Sequence, residues 1–272
     1  MATSDGIVRF SGKLGDLIFY VRGKKRVVRK KPITHQLSAA SKSASTDFGE
    51  ASKQAAYIRN AFSPLLKIYS YGDVTSRFTQ RLCKIFKTIP DKHRGNKKLI
   101  DGDVKLLCGL EFNAVTPLAN LLYQLPFIKI SAKGLLHLQL NRMKMTQFVK
   151  VVAKSDAFVL RLMVFALGLA DDQIEIIAIE DYQVDLNLPD FDGATLDIPF
   201  EAAGEKALMI ALGVSYLKDG IPSGNRKYFA GGITHCWHLR DGVEVVFKPE
   251  LPVKEDEVVE QIVRLKWKPS QD

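Results

Sequence analysis

The sequence Leu-Met-Ile-Ala-Leu-Gly-Val-Ser-Tyr at residues 208–216 decides the fold class. Large side chains occupy every second position and mostly small residues lie between them: Leu208, Ile210, Leu212, Val214 and Tyr216. A period of two indicates a β-strand. Similar runs occur at 136–140, 148–152, 157–167, 173–180, 195–200, 233–239, 243–248 and 263–267.

Turn signals such as Lys218-Asp219-Gly220 separate these runs, and no alternating helical pattern supports a parallel sheet. We therefore expect an antiparallel β-sandwich of about 7–9 strands in residues 125–272. The run at 157–167 is apolar on both faces, which fits a central strand or a buried helix. It lies within the longest apolar stretch, which Arg161 interrupts and which is too short to span a bilayer.

Residues 1–124 are expected to hold a helical region behind a basic hairpin. Ser, Ala and Thr dominate residues 34–46, which fit a linker or the weak start of a helix. Asp47 and Glu50 have the spacing of a capping box, followed by an apolar stripe of Phe48, Ala51, Ala55, Ile58 and Phe62. Asp73 is expected to cap a helix that Pro90 ends. Shorter helices are expected from Asp101 to Leu110 and from Thr116 to Gln124. The whole chain is therefore predicted to be α+β.

The hairpin is predicted from residues 17–31, Leu-Ile-Phe-Tyr-Val-Arg-Gly-Lys-Lys-Arg-Val-Val-Arg-Lys-Lys. Gly23-Lys24 fits a two-residue type II′ turn, which needs Gly at its first central position. This turn places Tyr20 opposite Val27 and Phe19 opposite Val28.

Basic residues are concentrated in the first third of the chain. Residues 1–98 hold 21 Lys and Arg against 6 Asp and Glu, a net +15, whereas residues 99–272 hold 18 against 24, a net −6. This asymmetry indicates an anionic partner, although a solvated basic surface or docking on the acidic remainder fits it too. The candidate polyanion-binding residues are Tyr20, Arg22, Lys24, Lys25, Arg26, Arg29, Lys30, Lys31, Arg94, Lys97 and Lys98.

No enzymatic, metal or cofactor motif stands out in the sequence. His235-Cys236-Trp237-His238 is the densest group of metal-capable side chains, but a strand would divide it between two faces. Asp190-Phe191-Asp192-Gly193 has too few oxygen ligands at alternate positions for a calcium loop. Cys83, Cys108 and Cys236 are far apart and are expected to be reduced thiols of a cytoplasmic protein, since no signal peptide is visible.

Spaced glycines and aromatics along most of the chain resemble those of a family of Bacteroidota proteins with no established activity. The N-terminal match consists of Gly12-Lys13-Leu14-Gly15, Phe19-Tyr20, Gly23-Lys24, Val28-Arg29 and Lys31-Pro32. The later matches are Arg94-Gly95-Asn96-Lys97, Leu107–Asn113, Leu212–Tyr216 and Gly231-Gly232. The family pattern has arginine where this chain has Lys97, and Gly-Phe-Glu-Phe-Asn around Leu110. The resemblance implies a soluble, two-part protein and supplies no catalytic residue.

Two functions remain open from the sequence. The first is a non-enzymatic cytoplasmic protein whose N-terminal third binds nucleic acid or another polyanion. The second is a structural or assembly protein, for example of a mobile element, that uses the hairpin to contact other subunits. In a third arrangement, the hairpin simply packs on the helices and its cations protect the sheet edge.

Overall fold

A computed structural model describes residues 2–3, 11–23, 25–31 and 37–249. The long helices are α1 (Ala39–Ala61), α2 (Ser63–Tyr69) and α3 (Val74–Thr88), and a fourth helix, α4, has one turn (Met145–Phe148). The strands before α4 are β1 (Ala2–Thr3), β2 (Gly12–Leu14), β3 (Leu17–Arg22), β4 (Lys25–Lys30), β5 (Leu110–Glu111), β6 (Phe127–Ser131), β7 (Leu135–Leu140) and β8 (Met143–Lys144). Those after it are β9 (Ala157–Gly168), β10 (Ile174–Asp185), β11 (Asp190–Phe191), β12 (Ala194–Pro199), β13 (Glu205–Lys218), β14 (Ile221–Pro222), β15 (Phe229–Arg240) and β16 (Val243–Glu244).

The chain divides into two compact units, Met1–Lys42 and Ser43–Asp272. The first contains a four-stranded antiparallel sheet in the order β1-β4-β3-β2, called the N-terminal sheet below. Its central pair is the predicted hairpin, and the predicted register is confirmed: Tyr20 pairs with Val27 and Phe19 with Val28. Gly23 has φ +64°, as the primed two-residue turns require. The flanking strands β1 and β2 were not expected.

The second unit is built around a seven-stranded antiparallel sheet. Its path is β10-β9-β13-β15-β16, with β14 beside β13 and β5 beside β15. The ambiguous apolar run at 157–167 forms β9, which lies between β10 and β13 and is therefore a central strand. Central strands are apolar on both faces because both are covered, and each face of this sheet packs against its own core.

Each face of the large sheet has its own hydrophobic core. Alternate residues of β9 and β13, such as Phe165 and Met209, pack with the apolar faces of α1, α2 and α3. The intervening residues, such as Leu162 and Leu212, pack with α4 and with a three-stranded sheet in the order β12-β7-β6. The fold is therefore α+β, as predicted. The two facing sheets are very unequal, and helices cover the other side of the larger one.

The helix predictions need correction at several ends. α1 begins at Ala39, so Asp47 lies inside it, and the Asp47 carboxylate instead accepts the backbone N–H groups of Gly95 and Lys97. Residues 99–110 form two 3-10 turns at Leu99–Asp101 and Val104–Leu107 followed by β5, because the chain there turns back to pair with β15. The helix expected after Thr116 is a single 3-10 turn, Leu118–Asn120. By contrast, Asp73 caps α3 as predicted, by accepting from the backbone N–H of Ser76.

The helical region shares a hydrophobic core with the large sheet, and the boundary between the compact units falls between Lys42 and Ser43 in the chain. The division at residues 124 and 125 remains a prediction about which part folds independently. The strand expected at 263–267 lies outside the described residues. In the described part of the chain, no helix is long and apolar enough to cross a membrane.

Candidate functional site

The register of the N-terminal sheet assigns its side chains to two faces, since residues paired across antiparallel strands lie on the same side. The Tyr20 face consists of Lys13, Ile18, Tyr20, Arg22, Lys25, Val27 and Arg29. The Phe19 face consists of Leu14, Leu17, Phe19, Val21, Arg26, Val28 and Lys30. The sequence predicted the cations but not which of them share a face.

Four cations surround one aromatic ring on the Tyr20 face. The guanidinium carbon of Arg29 lies 5.5 Å from the centroid of the Tyr20 ring. Arg22 and Lys25 are exposed and directly opposite each other, a like-charge pair that disfavours the sheet. Lys13, Arg22, Lys25 and Arg29 form no ion pair with any acidic side chain among the described residues. The face therefore concentrates positive charge that no acidic side chain of the described residues neutralises.

The Phe19 face is more apolar. Leu14, Leu17 and Val21 are 63%, 41% and 60% exposed. Arg26 and Lys30 lie beside them on the same face. Exposed apolar side chains in one small sheet are typical of a surface that contacts another molecule.

Net charge follows the boundary between the two compact units. Residues 1–42 hold ten Lys and Arg against two Asp, hence +8, while residues 43–272 hold 29 against 28, hence +1. Almost all of the net charge of +9 therefore belongs to the first unit. The two remaining candidates of this unit are Lys24, which lies outside the described residues, and Lys31, which is exposed.

The second predicted basic segment, Arg94 to Lys98, contains one cation that points inward and two that are exposed. Lys97 is turned inward, and its Nζ donates to the carbonyls of Phe86 and Ile89 at 3.0 and 2.7 Å. These carbonyls belong to the C-terminal end of α3, where a cation also favours the helix dipole. Arg94 and Lys98 are exposed. A surface shared by this segment and the N-terminal sheet remains a prediction.

Lys97→Met is expected to lower the free energy of unfolding by about 1.5–3 kcal/mol, because two carbonyls lose a charged donor. Urea unfolding followed by circular dichroism measures this change. Lys98→Met removes an exposed charge of the same type and should leave stability within about 0.5 kcal/mol of the parent. If Lys97→Met were as stable as the parent and bound polyanions more weakly, the binding role predicted for Lys97 would be correct.

The segment Leu110 to Asn113, part of the family resemblance, closes an edge of the large sheet. Leu110 and Glu111 pair with β15, and the Glu111 carboxylate accepts the backbone N–H of Leu118. Asn113 is 1% exposed and its amide donates to the carbonyls of Arg226 and Phe229. Arg77 of α3 donates to the carbonyls of Tyr71, Glu111 and Phe112. These residues hold the helices to the sheet. This structural role explains the spacing of the motif from Leu110 to Asn113 without a catalytic role.

The His235-Cys236-Trp237-His238 segment is an ordinary part of β15. The His235 and Trp237 rings stack at 5.3 Å, and burial lowers the pKa of His235. Cys236 is on the opposite face, where burial raises the pKa of its thiol well above the usual value. His238 contacts Glu205 at 2.7 Å. Among the described residues, no three His, Cys, Asp or Glu side chains lie together as metal ligands.

The N-terminal sheet is thus the strongest candidate site in the described part of the chain, with its exposed cations on the face where Tyr20 is half-buried and Val27 is buried. The family resemblance noted from the sequence remains a prediction. No family model, curated protein or solved structure matches the chain.

Proposed function

We propose that this protein is a non-enzymatic, cytoplasmic binding protein that contacts nucleic acid or another polyanion through the Tyr20 face. The observation that carries the proposal is the set of four exposed cations on the Tyr20 face, which form no ion pair among the described residues, in a compact unit of net charge +8. Such a set binds a polyanion by neutralising phosphates and releasing their counterions.

Tyr20 and Arg29 add planar groups to this charge. Arg29 lies over the Tyr20 ring, so the two present neighbouring flat surfaces on which an unpaired base can stack. A sheet of four short strands fixes the spacing of the cations better than a loop does. The second unit, with its two cores, then serves as the scaffold.

The two faces of the sheet supply matched variants for testing this proposal. Lys25→Ser/Arg29→Ser changes the Tyr20 face, and Arg26→Ser/Lys30→Ser changes the Phe19 face by the same charge and residue types. Fluorescence anisotropy with labelled single-stranded and duplex oligonucleotides measures binding at several salt concentrations. For about six phosphate contacts, parent affinity should fall roughly 10³-fold between about 50 and 200 mM salt.

The Tyr20-face variant should lose about two units of salt slope, one for each phosphate contact removed. The Phe19-face variant should keep the slope of the parent. Equal losses in both variants would mean that the total charge of the unit, and not the Tyr20 face, attracts the ligand. A parent that binds neither oligonucleotide at low salt would contradict the proposal.

A second candidate function is assembly with other copies. Two observations favour it: the exposed apolar residues of the Phe19 face, and the edge of β3. The strand β2 pairs only with Leu17–Phe19, so residues 20–22 of β3 have no neighbour on that side among the described residues. Light scattering after nuclease treatment separates the two functions, because an assembly survives removal of nucleic acid.

A further inference from the structure

The strand β10 is a long edge of the large sheet among the described residues. Over its 12 residues it pairs with β9 alone among the described residues. Ile176 and Tyr182 are 51% and 42% exposed, and Ile174 and Ile179 are also exposed. Edge strands are usually blunted with lysine or proline, and β10 contains neither. Its single irregularity is a register shift between Ile176 and Ala178.

This edge is also the acidic part of the molecule. Residues 162–205 contain 11 Asp and Glu and no Lys or Arg. Four of these acids are in β10, and Asp181 is paired with Arg161. Glu175, Glu180 and Asp185 are exposed and form no ion pair within the described residues.

The charges restrict which strand can add to this edge. A second β10 would add four more carboxylates and no cation to the same edge, and like charges that face each other destabilise a strand pair. Two N-terminal sheets would repel each other for the same reason, since each unit carries +8. Opposite charges favour a pairing between β10 and a basic strand. The N-terminal sheet of this protein contains such strands.

We propose that the N-terminal sheet of one copy docks on the β10 edge of a second copy. The contact continues the large sheet by strand addition, in which backbone groups of the two edge strands pair. Exposed apolar residues meet on one side, such as Val21 with Ile179, while cations meet Glu175 and Glu180. This inference rests on assembly, the second candidate function, and names the surface that receives the N-terminal sheet.

Such a contact joins two different surfaces, so it repeats head to tail. Each copy offers one basic sheet and one acidic edge, and the contacts form a ring or an open filament. Polyanions and β10 would compete for the same basic sheet.

The test uses full-length, nuclease-treated protein and charge reversal on each side. The acidic-edge variant is Glu175→Lys/Glu180→Lys, and the basic-sheet variant is Lys25→Glu/Arg26→Glu. The control, Asp91→Lys/Asp192→Lys, makes the same charge change as the acidic-edge variant at side chains that are 95% and 84% exposed outside β10. Circular dichroism checks that each variant is folded, and light scattering gives the mass as protein concentration rises.

We expect the parent and the control to reach at least twice the monomer mass at low salt. They should lose mass at about 1 M salt, where the Debye length is about 3 Å. Each reversal variant alone should remain monomeric. A mixture of the two should associate again, because the unchanged basic sheet of the acidic-edge variant meets the unchanged β10 of the basic-sheet variant.

Each failure has its own meaning. If the parent assembles and the acidic-edge variant does so equally well, β10 is not the receiving strand, although assembly as a function stands. If both reversal variants are monomeric and their mixture is too, the two surfaces do not meet and the inference is overturned. If the parent is monomeric at every concentration, assembly and this inference fail together.

Discussion

Phe62→Ala is expected to lower the free energy of unfolding by about 3–5 kcal/mol, the usual cost of emptying a buried aromatic site. Phe62 is fully buried between α1 and α2. Its ring contacts those of Phe165 at 4.6 Å, Phe112 at 5.6 Å and Phe78 at 6.5 Å. One side chain therefore joins the helices, the central strand β9 and the segment after β5.

Phe48→Ala is the matched control for this change. Phe48 belongs to the same predicted apolar stripe of α1, but it is 58% exposed. Its loss should change stability by no more than about 0.5 kcal/mol. Chemical denaturation of the two variants gives the comparison. Equal midpoints and slopes would show that the aromatic cluster does not hold the helices on the sheet.

Gly213→Ala is expected to cost roughly 3 kcal/mol, at the upper end for an overpacked core. A Cβ at Gly213 would lie under 3.0 Å from three ring atoms of Tyr69, which is itself 1% exposed. Gly231 also lies against Tyr69, since a Cβ at Gly231 would be 3.0 Å from the Cβ of Tyr69. Because these two glycines have no side chain, the surface of β13 and β15 leaves room there for the Tyr69 ring of α2. A helix can approach a sheet this closely only where side chains are absent.

Gly49→Ala provides the opposite result from the same chemical change. Gly49 is exposed in α1 with open space around it, so alanine should stabilise the helix by about 0.5–1 kcal/mol.

A double-mutant cycle of Gly213→Ala with Tyr69→Leu tests whether the clash with the Tyr69 ring causes the loss of stability. If Gly213→Ala costs as much without the Tyr69 ring as with it, the clash is not the reason.

The sequence pattern predicted the long strands because a period of two depends only on which face is buried. The strand expected at 148–152 was wrong, since Phe148 ends α4 and a loop follows. The hairpin register followed from turn geometry in the same local way. The start of α1 at Ala39 could not be predicted in this way, since the Ser, Thr and Ala residues from 39 to 46 form no apolar stripe. Asp47 shows the reason: its carboxylate binds backbone N–H groups nearly 50 residues later. Contacts that distant leave no periodic signal.

The candidate site shows the same limit. The cations of residues 22–31 were evident, but their division between two faces depends on the exact pairing of β3 and β4. Lys97 resembled the other lysines in the sequence. Only the return of its loop to the end of α3 makes it a structural donor. The acidic edge was hidden as well, because β10 is an edge only in the folded topology.

The pairing of Glu111 with Gly232 has a consequence for the newly made chain. A ribosome adds about 5–20 residues per second, so β15 follows β5 by roughly 6–24 s. During that interval the α1, α2 and α3 segments have been synthesised, but the sheet that covers their apolar faces is incomplete. Chaperones bind exposed apolar surface of this kind. The apolar faces of these helices therefore stay uncovered until late in synthesis.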